Sequence, residues 1–263
     1  MDRAPLDADW LRQWCRRSRM WASVEVLDSV GSTNTLLSQR AIAGVPPGTV
    51  IAAEQQTAGR GRAERSWVSP PRAGLAVSML LRPTVPALRW SWLPLLAGVA
   101  TSQTIAELCG VTAALKWPND VLVGPEHRKC AGILSEVAAG SVVVGIGLNV
   151  SLRREELPRP DTTSLELEGA VAVDRARLLA ALLDRIARWY TTWEATQGDP
   201  VASGLAEGYR LRCHTLGRQV TVSLPDGGSL DGQALAIDND GRLRVNTEDG
   251  HISVAAGDIQ HVR

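Results

Sequence analysis

Phenylalanine is absent from the 263 residues, so nine tryptophans carry most of the large aromatic contacts. The four cysteines, Cys15, Cys109, Cys130 and Cys213, form no C-x-x-C pair and have no histidine cluster near them. That pattern argues against a zinc site and a disulfide framework, and it fits a reduced, cytoplasmic compartment. Neither charge dominates: Lys plus Arg and Asp plus Glu both number 28. With no global field to recruit nucleic acid or an anionic membrane, any anion binding must be local. The N-terminal stretch mixes arginines with Asp2, Asp7 and Asp9 and has no apolar h-region, so no signal peptide is expected. The most apolar run, Trp92 to Cys109, is broken by Pro94, Ser102, Gln103 and Glu107. It reads as a buried helix rather than a membrane span.

What the chain does have is a stretch unsuited to a core, Gly59 to Trp67. Gly59 and Gly61 let backbone N–H groups approach a ligand closely. Arg60, Arg62 and Arg65 offer planar bidentate donors for phosphate or carboxylate oxygens. Trp67 adds a flat face on which a base can stack. The spacing matches neither G-x-x-x-x-G-K-[ST] nor a dinucleotide G-x-G-x-x-G. The plainer alternative is a solvated surface loop.

The length predicts one large domain, or one with a small appendage. Residues 1–23 read as a short N-terminal helix with Trp10, Leu11 and Trp14 on one face. It is too short for a helix-turn-helix module, so sequence-specific DNA binding is not expected. Residues 24–214 alternate strands with helices, among them Thr35–Ala43, about Ser91–Leu108, 174–196 and 200–213. This predicts an α+β layer, a mixed sheet backed by helices. Residues 215–263 hold short alternating strands separated by Gly- and Asp-rich turns, which predicts a small antiparallel barrel leaning on the main body.

Several polar positions interrupt these elements. Ser32, Thr33 and Asn34 precede a helix, where they serve as caps or bind a polar ligand. Lys116, Asn119 and Asp120 flank Trp117-Pro118, either as an ordinary Asn-Asp turn or as a converging site. Lys129 stands where a polar loop enters an apolar strand, with a buried stem or a solvated one. Gly145 and Gly147 interrupt a strand that ends at Asn149 and permit close approach to its backbone.

Together, Gly31-Ser32-Thr33-Asn34, Glu54 with Gln56-Thr57-Ala58-Gly59-Arg60-Gly61-Arg62, Lys116-Trp117-Pro118-Asn119-Asp120, Arg128-Lys129-Cys130-Ala131-Gly132-Ile133-Leu134 and Gly145-Ile146-Gly147-Leu148-Asn149 resemble the biotin protein ligases in order. The resemblance spans about residues 24–263. It implies a catalytic domain like that of class II aminoacyl-tRNA synthetases and the biotin–lipoate ligases, with a C-terminal SH3-like barrel. It also implies two steps: biotin and Mg·ATP give biotinyl-5′-AMP, and the acyl group passes to a lysine of a biotin carboxyl carrier domain of acyl-CoA carboxylases.

Residue by residue, the resemblance assigns Ser32, Thr33, Asn34 and Gln56 to biotin, with Gly61 and Gly132 beside it. Arg60, Arg62 and Lys129 become the catalytic cations between carboxylate and phosphate. Trp67, Lys116, Asn119, Asp120 and Asn149 fall to the nucleotide, Asp120 also as a ligand for Mg2+. A homodimer formed on adenylate binding is a further expectation, whereas no partner is expected in DNA or membrane. Glu64 departs from the family pattern G-R-G-R-x-G-R-x-W by replacing its later glycine. That costs the loop freedom and places a carboxylate near anions. The rivals are a lipoate ligase and a non-enzymatic biotin sensor, which would not need Lys129.

Overall fold

Alternating apolar residues bring seven strands into one sheet in the computed structural model, which describes residues 3–63, 65–224 and 227–262. They are β1 (Ser23–Leu27), β2 (Thr49–Ala53), β3 (Gly74–Leu81), β4 (Ala113–Lys116), β5 (Asp120–Val123), β6 (Arg128–Ala138) and β7 (Ser141–Asn149). The order is β1-β2-β3-β7-β6-β5-β4, with β1 and β2 parallel and the other pairs antiparallel. The sheet is therefore mixed and backed by helices, as the sequence predicts.

Strand alternation sends neighbouring residues to opposite faces. Val50, Ala52, Val77, Met79, Val142, Val144 and Ile146 join the large core under α3 (Trp92–Cys109) and α4 (Arg175–Ala195). On the other face Ile51, Leu80 and Val143 pack with Leu37 and Ala41 of α2 (Thr33–Ile42). Helix α3 is buried over most of its circumference and ends at Gly110 with φ +65°, a left-handed cap that glycine adopts without a Cβ penalty. Helix α1 (Ala8–Cys15) is capped by Asp7, whose side chain accepts from Trp10 N–H.

Two helix boundaries differ from the sequence reading. Helix α2 begins at Thr33 rather than Thr35, because Ser32 is the residue whose hydroxyl accepts from Thr35 N–H at 3.4 Å. The predicted 200–213 helix shrinks to α5 (Leu205–Arg210). Beyond it the chain runs alongside β4: Leu115 N–H donates to Arg212 O at 2.8 Å and His214 N–H to Leu115 O at 2.7 Å. That pairing covers the outer edge of β4, whose backbone groups would otherwise be unpaired.

The C-terminal strands β8 (Gln219–Ser223), β9 (Ser229–Ile237), β10 (Leu243–Thr247), β11 (Gly250–Val254) and β12 (Asp258–His261) form a second sheet ordered β11-β10-β9-β8-β12. All its pairs are antiparallel, which fits the SH3-like architecture. Val220, Val222, Ala234, Leu243 and Val245 fill its interior. The sheet leans on the seven-stranded layer through the β9–β10 turn. Trp92 Nε1–H donates to Asn239 O at 2.8 Å and Trp117 Nε1–H to Gly241 O at 3.0 Å. Pro225 and Asp226 of a predicted turn lie outside the described residues.

Candidate active site

Cross-strand register builds the floor of the site. Ala76, Gly147, Gly132 and Asp120 are successive partners across β3, β7, β6 and β5. Their shared parity places this row on the α2 face, where Asn34 covers the neighbouring Gly145. The row is nearly free of side chains, which leaves room for Trp67. A Cβ on Gly147 would lie 2.4 Å from the Trp67 ring, so no larger residue fits beneath it.

A bulge aims the lysine. In the β5–β6 pairing Val121 faces Ala131 while Leu122 faces Lys129, so Cys130 is the extra residue. Cys130 and Ala131 both join the core, and the added residue turns Lys129 to the same face as Gly132. Lys129 Nζ then stands 2.6 Å from Asp120 Oδ1 and 6.0 Å from the centre of the Trp67 ring. The Asp120 oxygen makes no well-directed hydrogen bond, so this contact is chiefly charge against charge.

Backbone hydrogen bonds close the described residues of the Gly59–Trp67 segment on one another. Gly61 N–H donates to Arg65 O at 2.6 Å, Arg65 N–H to Arg62 O at 3.1 Å, and Trp67 N–H to Gly59 O at 2.9 Å. Gly59 is required by this closure, since a Cβ there would sit 2.3 Å from Trp67 O. The Glu64 position lies outside the described residues.

These elements enclose a cavity of about 550 Å³. Ser32, Thr33, Asn34 and Gln56 line one end. Gln56 Oε1 accepts from Thr33 N–H at 2.8 Å and from its hydroxyl at 3.0 Å. Arg60, Gly61, Arg62 and Trp67 form the loop wall, while Asn119, Asp120, Lys129, Gly132 and Asn149 complete the strand side. Asn149 is itself tied down, its Nδ2–H donating to Thr163 O at 3.0 Å. Lys116 alone among the predicted positions stands outside the wall, across the hairpin from Asp120. Burial pushes its ammonium pKa down, Asp120 opposes that shift, and Lys129 reinforces it.

Charge within the cavity is unevenly matched. Arg60 pairs with Glu136 at 3.0 Å, Arg159 with Asp161 at 3.0 Å, and Arg65 with Asp258. Among the described residues Arg62 instead reaches neutral oxygens, Asn119 Oδ1 at 3.3 Å and Gly257 O at 3.4 Å. Burial pushes its pKa down, with Asp258 and Asp120 opposing at longer range. A guanidinium remains charged even so, leaving a partly desolvated cation with no contacting anion among the described residues.

A profile of the Biotin/lipoate A/B protein ligase family matches residues 26–152, and one of the Biotin protein ligase C terminal domain matches residues 215–262. The chain is 41% identical to the biotin–[acetyl-CoA-carboxylase] ligase of Mycobacterium tuberculosis over 99% of its own length and 97% of that protein's. The chain belongs to the biotin–[acetyl-CoA-carboxylase] ligase family. The bifunctional ligase/repressor BirA of Bacillus subtilis is 34% identical, the match covering 89% of this chain and 72% of that one. Among solved structures, the Aquifex aeolicus biotin protein ligase in complex with biotin and ATP superposes with a TM-score of 0.74. The identity is 28%, over 92% of this chain and 100% of that one.

For a biotin ligase the sequence motifs leave out several residues that the fold draws in. Ser78, fully buried on β3, lies 2.7 Å from Thr33 Oγ1 and 2.6 Å from Asn34 Oδ1. Glu136 joins Asn34 to Arg60, accepting from Asn34 Nδ2–H at 2.8 Å. Pro158, Arg159 and Thr162 close one side, and Asp258 arrives from the barrel. Only strand parity could have pointed to Ser78 and Glu136. Nothing local marks Asp258.

Proposed function

We propose that the cavity performs adenylation with its loop arginines and Lys129, within the two-step reaction of the family. Biotin is activated by ATP as biotinyl-5′-AMP and then passed to a lysine of a carboxylase carrier domain. The observation that carries this assignment is Arg62, a partly desolvated cation with no carboxylate contact among the described residues, facing the same cavity as Lys129.

Ser32, Thr33, Asn34 and Gln56 are proposed to hydrogen-bond the biotin ring, with Gly61 and Gly132 leaving space for it. Arg60, Arg62 and Lys129 hold the vitamin carboxylate against the α-phosphate. A carboxylate oxygen attacks the α-phosphorus, a new O–P bond forms, and the bond to pyrophosphate breaks. Two anions must meet for this to happen, and fixed cations offset their repulsion where charge accumulates. Trp67, Asn119, Asp120 and Asn149 are proposed to hold the nucleotide side, with Lys116 acting on its charge at longer range. In the second step a neutral amine attacks the acyl carbon, AMP leaves and a proton is released, so transfer is favoured by rising pH.

Asp120 supplies a carboxylate of the kind that a magnesium site uses beside substrate phosphates, and its buried Oδ1, 2.6 Å from Lys129 Nζ, would have to release that lysine to bind the ion. No group of three or more candidate ligand side chains occurs among the described residues. When bound, Mg2+ would neutralise phosphate charge. We further propose that residues 24–214 carry the chemistry and 215–263 the barrel, with 1–23 docked on the former. Cytoplasmic placement is supported by four free cysteines. No described helix is long and apolar enough to cross a membrane. Self-association on adenylate formation remains an expectation of the family resemblance.

Incubation with Mg·ATP and either biotin or lipoate, read by mass, tests the assignment. Biotinyl-AMP is expected to form, with lipoate giving little adenylate. Lys129→Ala should lower biotin-dependent pyrophosphate exchange by ~10²–10³-fold while the protein stays folded. Substantial exchange by the folded variant would remove Lys129 from its role.

A further inference from the structure

The barrel contributes a carboxylate to the adenylation cavity. Asp258 opens β12, and its register partner is Ser223 of β8. The preceding Gly257 is pinned: a Cβ there would lie 2.7 Å from Val222 Cγ1 and 3.0 Å from Ser223 O. The position of Asp258 is thus set by the barrel. Its side chain pairs with Arg65 of the loop, while Gly257 O accepts from Arg62 Nη1–H at 3.4 Å. Within the loop, Arg65 is joined to Gly61 and Arg62 by backbone hydrogen bonds of 2.6 and 3.1 Å. Moving Arg65 therefore moves the arginine that faces the reacting anions.

The pair is built to exchange. Arg65 and Asp258 side chains are 52% and 36% exposed, and an ion pair so open to water is weak. A triphosphate brings several charges and bidentate oxygens to the same guanidinium. We propose that Asp258 is a positioning residue that stands in for the nucleotide's outer phosphates, holding Arg65 in the empty site and yielding it to ATP. After pyrophosphate leaves, Arg65 returns to Asp258 and the loop is again tied to the barrel over the adenylate. The inference deepens the proposed function and rests on ATP being the nucleotide bound in this cavity.

The test is a double-mutant cycle in the full-length protein. Asp258→Asn removes the competing charge, so the KM for Mg·ATP in pyrophosphate exchange should fall about threefold. The same variant loses the tie, so preformed biotinyl-AMP should escape about threefold faster in a chase. A merely structural role would weaken both. Arg65→Met should raise the KM for Mg·ATP about tenfold, and adding Asp258→Asn should then change nothing. An Asp258→Asn protein with unchanged or raised KM, or with slower or unchanged escape, overturns the proposal. So does an equal effect in the Arg65→Met background. Absence of any adenylate with the unmodified chain would instead sink the underlying assignment, and is told apart at the first measurement.

Discussion

Two cavities of similar size differ in how they treat a desolvated arginine. One, of about 660 Å³, lies between the N-terminal segment and the start of α4. The other is the cavity of about 550 Å³ proposed for adenylation. In the first, Arg175 is only 8% exposed and every contact is matched. It donates to Glu54 Oε2 at 2.7 Å, Gly74 O at 3.0 Å and Ala4 O at 2.6 Å. In the second, Arg62 meets no carboxylate among the described residues. Volume does not separate a binding site from a structural joint here; unmatched charge does. The joint still serves the site indirectly, since Glu54 directly follows the strand that feeds the arginine loop and also accepts from Leu6 N–H.

Substitutions at the two arginines should therefore fail in opposite ways. Arg175→Met leaves Glu54 buried and unpaired, at a cost of about 3–5 kcal/mol in stability. Denaturant melts would show the loss, and the KM for biotin measured well below the melting range should stay near that of the parent. Unchanged stability would erase the contrast. Arg62→Met should reverse the pattern, lowering adenylate formation ~10²-fold without lowering the melting temperature. A cooperative loss of fold in that variant would mean that Arg62 is structural too.

A smaller effect sharpens the comparison at a third place, the junction of sheet and barrel. His127 stacks on His214 with ring centroids 3.7 Å apart, and His261 meets His214 at 5.5 Å. Burial, then neighbouring His127 and Arg218, lower the His214 pKa to about 4. Burial also lowers His261 to about 4, helped by Lys116 and by His214, Arg218 and His127. Both start from 6.5 in the unfolded chain, which takes up protons first as pH falls. The stability these groups contribute is whole above pH 6.5 and declines toward pH 4. His214→Gln with His261→Gln should flatten that fall in melting temperature over this interval. An equally steep fall would assign it to other groups.

The layer architecture was legible because strand alternation and the apolar α3 are local signals. Helix ends were less so: Ser32, Thr33 and Asn34 all suit a cap, and only the fold selects Ser32. The end of α5 eluded local reading because residues 212–214 are drawn alongside β4. The wall of the candidate site was legible in its motifs, since loop arginines, Lys129 and the glycine floor each have a short-range pattern and line one cavity. Ser78, Glu136 and Asp258 were not, because their roles come from register and from contact between distant segments. The bulge at Cys130 is likewise invisible in composition, although it is what turns Lys129 toward the cavity.

The β9–β10 turn supplies carbonyl acceptors to two indoles that belong to the other layer, those of Trp92 and Trp117. Deleting the barrel would not simply trim an accessory. It would take away both acceptors and uncover the two buried indoles to water, next to a cavity that had lost its Asp258. Grafting a foreign barrel would demand the same two acceptors at the same height, so recombination between relatives should succeed only when that turn travels with the tryptophans it serves.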